Sequence, residues 1–77
     1  MHLPELSVGS VADITAIDSG APDGVAMRLR QLGFRPGNKV RTVRVAPLGD
    51  PTIYRVVGYE MSLRREEARH IEITAQS

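Results

Sequence analysis

A chain of 77 residues with no cysteine and only two histidines, His2 and His70, lacks the covalent and metal staples on which small domains commonly depend. At this length roughly 60% of the unfolded surface is removed on folding, so one compact hydrophobic core must supply the stability. Size scaling puts that stability at roughly 4–12 kcal/mol. Loss of a single buried Leu or Ile would remove a large part of it.

Ten Lys and Arg stand against nine Asp and Glu, a formal charge of +1. That is far from the basic excess of a dedicated nucleic-acid binder. No stretch approaches the roughly 18 uninterrupted apolar residues of a membrane span, and the opening MHLPELSVGS lacks the basic and apolar regions of a signal peptide. A cytoplasmic protein without membrane insertion is expected, and the missing cysteine is compatible with that compartment.

Turn-forming clusters at short intervals divide the chain into one domain of short strands, with no repeat or linker. After the Gly9-Ser10 turn, Ala12, Ile14 and Ala16 alternate with Asp13 and Thr15 as a half-buried strand does. The connection Ser19 to Gly24 then offers Pro22 for a first helical turn and Asp23 for the positive dipole end. Val25, Leu29 and Leu32 follow at i, i+4 and i+7, one apolar helical stripe. Gly33 suits the left-handed residue that ends a helix, and Phe34 can pack back on the last turn.

Asn38 to Ala46 reads as a long strand with Val43 and Val45 on one face and Thr42 and Arg44 opposite. Arg41 is out of phase with Val40, the mark of a bulge. Pro47-Leu48-Gly49-Asp50-Pro51 breaks this strand, and Thr52 to Val57 forms the next. Gly58 interrupts before Tyr59, Met61 and Leu63 alternate with Glu60 and Ser62. Arg64 to His70 is a single helical turn with Ala68 inward, and Ile71 and Ile73 belong to a closing strand. The expected core is Ile14, Leu29, Leu32, Val43, Val45, Val56, Leu63, Ala68 and Ile71. Five short strands with so few residues are best served by a sheet curled into a small barrel, which removes exposed edges.

Three segments in this order, RLRQLGFRPG at Arg28 to Gly37, APLGDP at Ala46 to Pro51, and VGYEMSLRREEARHIEI at Val57 to Ile73, resemble the FeoA family of ferrous iron transport. The resemblance runs from Leu3 to about Ile73 and implies a mainly β, SH3-like barrel that works beside FeoB, the membrane iron transporter with a cytoplasmic GTPase domain. It further implies an accessory protein that binds and regulates FeoB, held at the inner face of the cytoplasmic membrane through that partner. The Ser19 to Gly24 connection is longer and richer in Gly and Pro than the family's brief turn. Related barrels occur at the C-terminus of iron-dependent repressors; the free-standing form is expected here because nothing precedes the barrel.

For the loop Pro47 to Pro51 two readings stand side by side: a hairpin fixed by its prolines and glycine, and a rigid docking tip in which exposed Leu48 lies beside the charge of Asp50. Arg28, Leu48, Asp50, Tyr59 and Arg64 are the candidate partner-binding residues, and neither Leu48 nor Asp50 is expected in the core. Glu66, Glu67 and His70 have the spacing to approach one metal ion, but exposed charges on a last helix are far more often solvated than ligating. No cofactor and no tightly held metal are expected. Arg64 and Arg65 can be set against an arginine finger, yet Glu66 and Glu67 beside them compete for the guanidinium groups. No phosphate loop, cysteine nucleophile or histidine partner supports an enzyme. A nucleic-acid-binding barrel using Lys39, Arg41, Arg44 and Arg55 is the alternative. It is disfavoured by net charge and by having only three aromatics, Phe34, Tyr54 and Tyr59. Self-association stays open.

Overall fold

Residues 1–75 are described by the computed structural model, and the alternating pattern of the sequence becomes five antiparallel strands. These are β1 (Val11–Ile17), β2 (Lys39–Val45), β3 (Thr52–Val56), β4 (Tyr59–Leu63) and β5 (Ile71–Ala75), in the sheet order β4-β3-β2-β1-β5. The helix α1 (Asp23–Leu32) follows β1, and the four-residue α2 (Arg65–Ala68) connects the two edge strands β4 and β5. The five strands match the number read from the sequence, and the architecture agrees with the SH3-like fold that the resemblance implies. Among the described residues no helix is long and apolar enough to cross a membrane.

α1 begins one residue later than its proline suggested. Pro22 is the N-cap, and its carbonyl accepts the Ala26 N–H at 2.9 Å. Asp23, in the first turn, then meets the positive end of the helix dipole. Ala26 and Leu29 are buried, with Val25 and Leu32 packed at the margin of the core. At the other end Gly33 takes the left-handed conformation, φ 108°, and the Phe34 N–H donates to the Leu29 carbonyl at 3.0 Å. That closure turns the Phe34 ring inward, where none of it is exposed.

Six of the nine expected core residues are buried: Ile14, Leu29, Val56, Leu63, Ala68 and Ile71. The corrections concern Leu32, which is only partly buried, and β2. There Val40 and Thr42 point inward, whereas Val43 is half-buried and Val45 is 42% exposed. Pairing explains the difference, because Thr42 faces Tyr54 and Arg44 faces Ile53, leaving Val43 as the extra residue of a bulge. Val45 returns to the core side only at the strand end, past the core's edge. Thr42 is tolerated inside because its hydroxyl donates to the Leu6 carbonyl at 3.3 Å. A second bulge at Thr15 in β1 brings Ile17, rather than Ala16, against the core.

Leu3 and Leu6 complete the core from a segment read only as an opening turn. Leu3–Glu5 forms a 3-10 helix, closed by the His2 N–H donating to Glu5 Oε1 at 2.7 Å. The segment is bound to β5 by the Ile73 N–H donating to the Met1 carbonyl at 2.8 Å, and His2 forms a bridge opposite Glu72. Tyr59 opens β4 but remains 72% exposed, so of the alternating residues in that strand only Leu63 is fully buried.

Tyr54 is buried, and burial pushes its phenol pKa up against a smaller opposing pull from its hydrogen bond with Thr52. The folded state therefore keeps this proton to a higher pH than the unfolded chain does. Stability should be full below about pH 10 and fall as pH rises beyond it. The melting temperature is expected to drop above that pH, and to drop less in Tyr54→Phe. An equal drop in both proteins would assign the alkaline loss to other groups.

Candidate functional site

The connection between β2 and β3 is a preorganised tip. The Gly49 N–H donates to the Ala46 carbonyl at 2.8 Å and the Ala46 N–H to the Pro51 carbonyl at 3.0 Å, so the loop closes on its own backbone. Gly49 supplies the positive φ, 90°, that the turn demands. Leu48 projects from it with 96% of its surface exposed. A large apolar side chain held this far out by a rigid loop loses little entropy on meeting a partner.

Asp50 does something different. Its Oδ1 accepts the Arg65 N–H at 3.0 Å, joining the loop to the first turn of α2. The pairing of Thr52 with Leu63 brings the start of β3 beside the end of β4, and hence beside Arg64, the N-cap of α2. Arg28 reaches the same helix from α1 through an ion pair with Glu67. Leu48, Asp50, Arg64 and Arg28 thus surround one end of the barrel. Tyr59 belongs to the other end, since it pairs with Val56 across the β3–β4 turn.

His70 is buried, with its carbonyl accepting the Asp18 N–H at 2.7 Å, and Glu67 is occupied by Arg28. The trio Glu66, Glu67 and His70 considered from spacing is therefore not assembled around a common point. A different trio is: ligand atoms of His2, Asp18 and Glu72 lie within 4.8 Å of one another, each residue half-buried. No sequence spacing could have shown it, because its members come from the N-terminal segment, the end of β1 and β5.

Of the basic residues in the alternative reading, Lys39, Arg41 and Arg55 border one open cleft of about 420 Å³ on the outer face of the sheet. Two of them are already paired across strands, Lys39 Nζ with Asp13 Oδ1 at 2.7 Å and Arg55 with Glu60 at 3.6 Å. Arg44 lies past the bulge, in a separate depression with Glu60 and Met61. The positive charge is divided and partly cancelled.

Residues 1–75 match the FeoA domain family. A fusion protein of Fe(2+) transport protein A and the Fe(2+) transporter FeoB from Porphyromonas gingivalis is 40% identical over 74 residues, which are 95% of this chain and 8% of that relative. The chain thus spans a small fraction of the curated relative it matches. A Stenotrophomonas maltophilia FeoA, described as an SH3 domain protein and solved with zinc, is 36% identical with a TM-score of 0.84, covering 96% of this chain and 89% of the other. The FeoA protein of Chlorobium tepidum is also 36% identical, with a TM-score of 0.90, covering 100% of this chain and 71% of the other.

Proposed function

Because the chain belongs to the FeoA family, we propose that it is an accessory protein of ferrous iron uptake that docks on the cytoplasmic GTPase region of FeoB and regulates it. The observation that carries this reading is the relative in which such a domain and FeoB share one polypeptide. A covalent link raises the effective concentration of two parts that work together, and a separate chain must replace it with a docking surface. The Leu48 tip, with Arg64 and Arg28 around the start of α2, supports such a surface. An exposed apolar side chain with charged groups around it follows the apolar-core, polar-rim pattern of protein interfaces. The working location is the inner face of the cytoplasmic membrane.

Regulation requires that the chain bind one nucleotide state of FeoB better than another, since a ligand shifts an equilibrium only by its differential affinity. Binding of the chain to the purified GTPase domain, measured with GTP analogue and with GDP, tests both parts of the proposal. A micromolar-range affinity is expected, from about −8 kcal/mol of binding free energy. Leu48→Ala should weaken binding about tenfold and leave the melting temperature unchanged. Asp50→Ala should also lower stability by about 1 kcal/mol, because it frees the Arg65 N–H. Normal binding by Leu48→Ala together with loss in Tyr59→Ala would move the docking face to the opposite end of the barrel. No binding in either nucleotide state would overturn the proposal.

A further inference from the structure

We propose that His2, Asp18 and Glu72 form a binding site for one divalent first-row transition-metal ion. One imidazole nitrogen and two carboxylate oxygens lie mutually within 4.8 Å. Around an ion with bonds of about 2.1 Å, neighbouring donors stand roughly 3.0–3.4 Å apart, so small side-chain rotations would close the three onto a common centre.

The backbone beneath the three is already fixed. His2 is bridged to Glu72, the Met1 carbonyl holds the Ile73 N–H, and the Asp18 N–H is held by the His70 carbonyl at 2.7 Å. Only side-chain freedom remains to be lost on binding. Outer contacts are present as well. Asp18 Oδ1 accepts the Gly20 N–H at 2.9 Å, which orients the carboxylate and leaves its second oxygen for a ligand bond. Glu5 Oε1, which accepts the His2 backbone N–H, stands 3.9 Å from His2 Nδ1, beyond hydrogen-bond distance of the ring.

Charge supplies an independent argument. Among the described residues Asp18 and Glu72, like Glu5, Asp23, Asp50 and Glu66, have no Lys or Arg within 4.0 Å, but of the unpaired carboxylates only these two converge on each other and an imidazole. Two half-buried carboxylates converge on one imidazole with no Lys or Arg of the described residues within that distance, and a bound dication would offset their charge. The donor set selects the ion. A nitrogen ligand disfavours Mg²⁺ and Ca²⁺, the absence of sulfur disfavours Cu⁺, and one imidazole with two carboxylates suits Mn²⁺, Fe²⁺, Co²⁺ or Zn²⁺ with open positions left for water.

The site does not depend on docking to FeoB, so its test uses the isolated chain, carrying no polyhistidine tag. Calorimetric titration with Zn²⁺ and with Mn²⁺ should show one saturable site per chain in the micromolar range. Each ion should raise the melting temperature, and millimolar Mg²⁺ should not compete. Glu72→Gln and Asp18→Asn keep the side-chain shape and should weaken binding at least tenfold. His2→Ala should abolish it, and the metal-free melting temperatures should stay near that of the parent. Metal should then no longer raise the melting temperature of the His2→Ala chain. Absence of a saturable site in the parent, or equal affinity in all three variants, would overturn the assignment.

Discussion

Phe34→Ala is expected to remove a large share of the domain's stability. The ring is fully buried, and truncating a buried Phe costs about 3–5 kcal/mol through lost transfer energy and the cavity left behind. Against a total of roughly 4–12 kcal/mol for a chain of this size, that is about a quarter of the stability at the least and all of it at the most. The melting temperature should fall by about 12–40 °C. Phe34→Leu, which keeps most of the volume, should lose much less. Parallel urea and thermal melts check both variants, and a loss below about 1 kcal/mol for the alanine variant would show that the ring is not part of the core. Phe34 also closes α1 by donating its N–H to the Leu29 carbonyl. That bond is made by the backbone and survives the substitution, so the loss reports on packing alone.

Gly33→Ala is the second large effect, and its cause is different. The residue sits at φ 108°, where a Cβ is disfavoured by about 1–2 kcal/mol. A Cβ built there would also lie 2.4 Å from Cγ2 of Val57, so the helix end and the β3–β4 turn would have to separate. Overpacking of this kind adds about 1–3 kcal/mol, giving a total of about 2–5 kcal/mol. Val57 has little room to yield, since it holds a positive φ of 46° in a two-residue turn completed by Gly58. The Val57→Gly background removes the colliding methyl, so there Gly33→Ala should cost only the backbone share. A double-mutant cycle on melting free energies reads the coupling directly. Equal costs in both backgrounds would exclude the collision, and an unchanged melt for Gly33→Ala alone would exclude the left-handed cap as well.

Local chemistry accounts for what could be read from the chain. The i, i+4, i+7 spacing of Val25, Leu29 and Leu32 found α1, Gly33 marked its end, and period-two runs found the five strands. The exposure of Leu48 followed from a loop too rich in proline and glycine to belong to a strand. Each of these signals lies within a few residues of its effect.

Tertiary structure decided the rest, because the deciding partners are far apart in the chain. The pairing of β2 with β3 turns Val40 and Thr42 inward and leaves Val43 as the extra residue of a bulge, and Val45, back on the core side after it, lies past the core's edge. Leu3 and Leu6 enter the core only because the N-terminal segment lies along β5, contacts that no periodicity of three residues could announce. Asp50 resembles any acidic turn residue until the pairing of β3 with β4 places α2 against its carboxylate. His2, Asp18 and Glu72 likewise meet only when β1, β5 and the N-terminal segment converge. The sequence determined which segments become helix or strand, since propensity and periodicity are local. Strand register and chain packing determined which side chains meet, since those depend on contacts between distant segments.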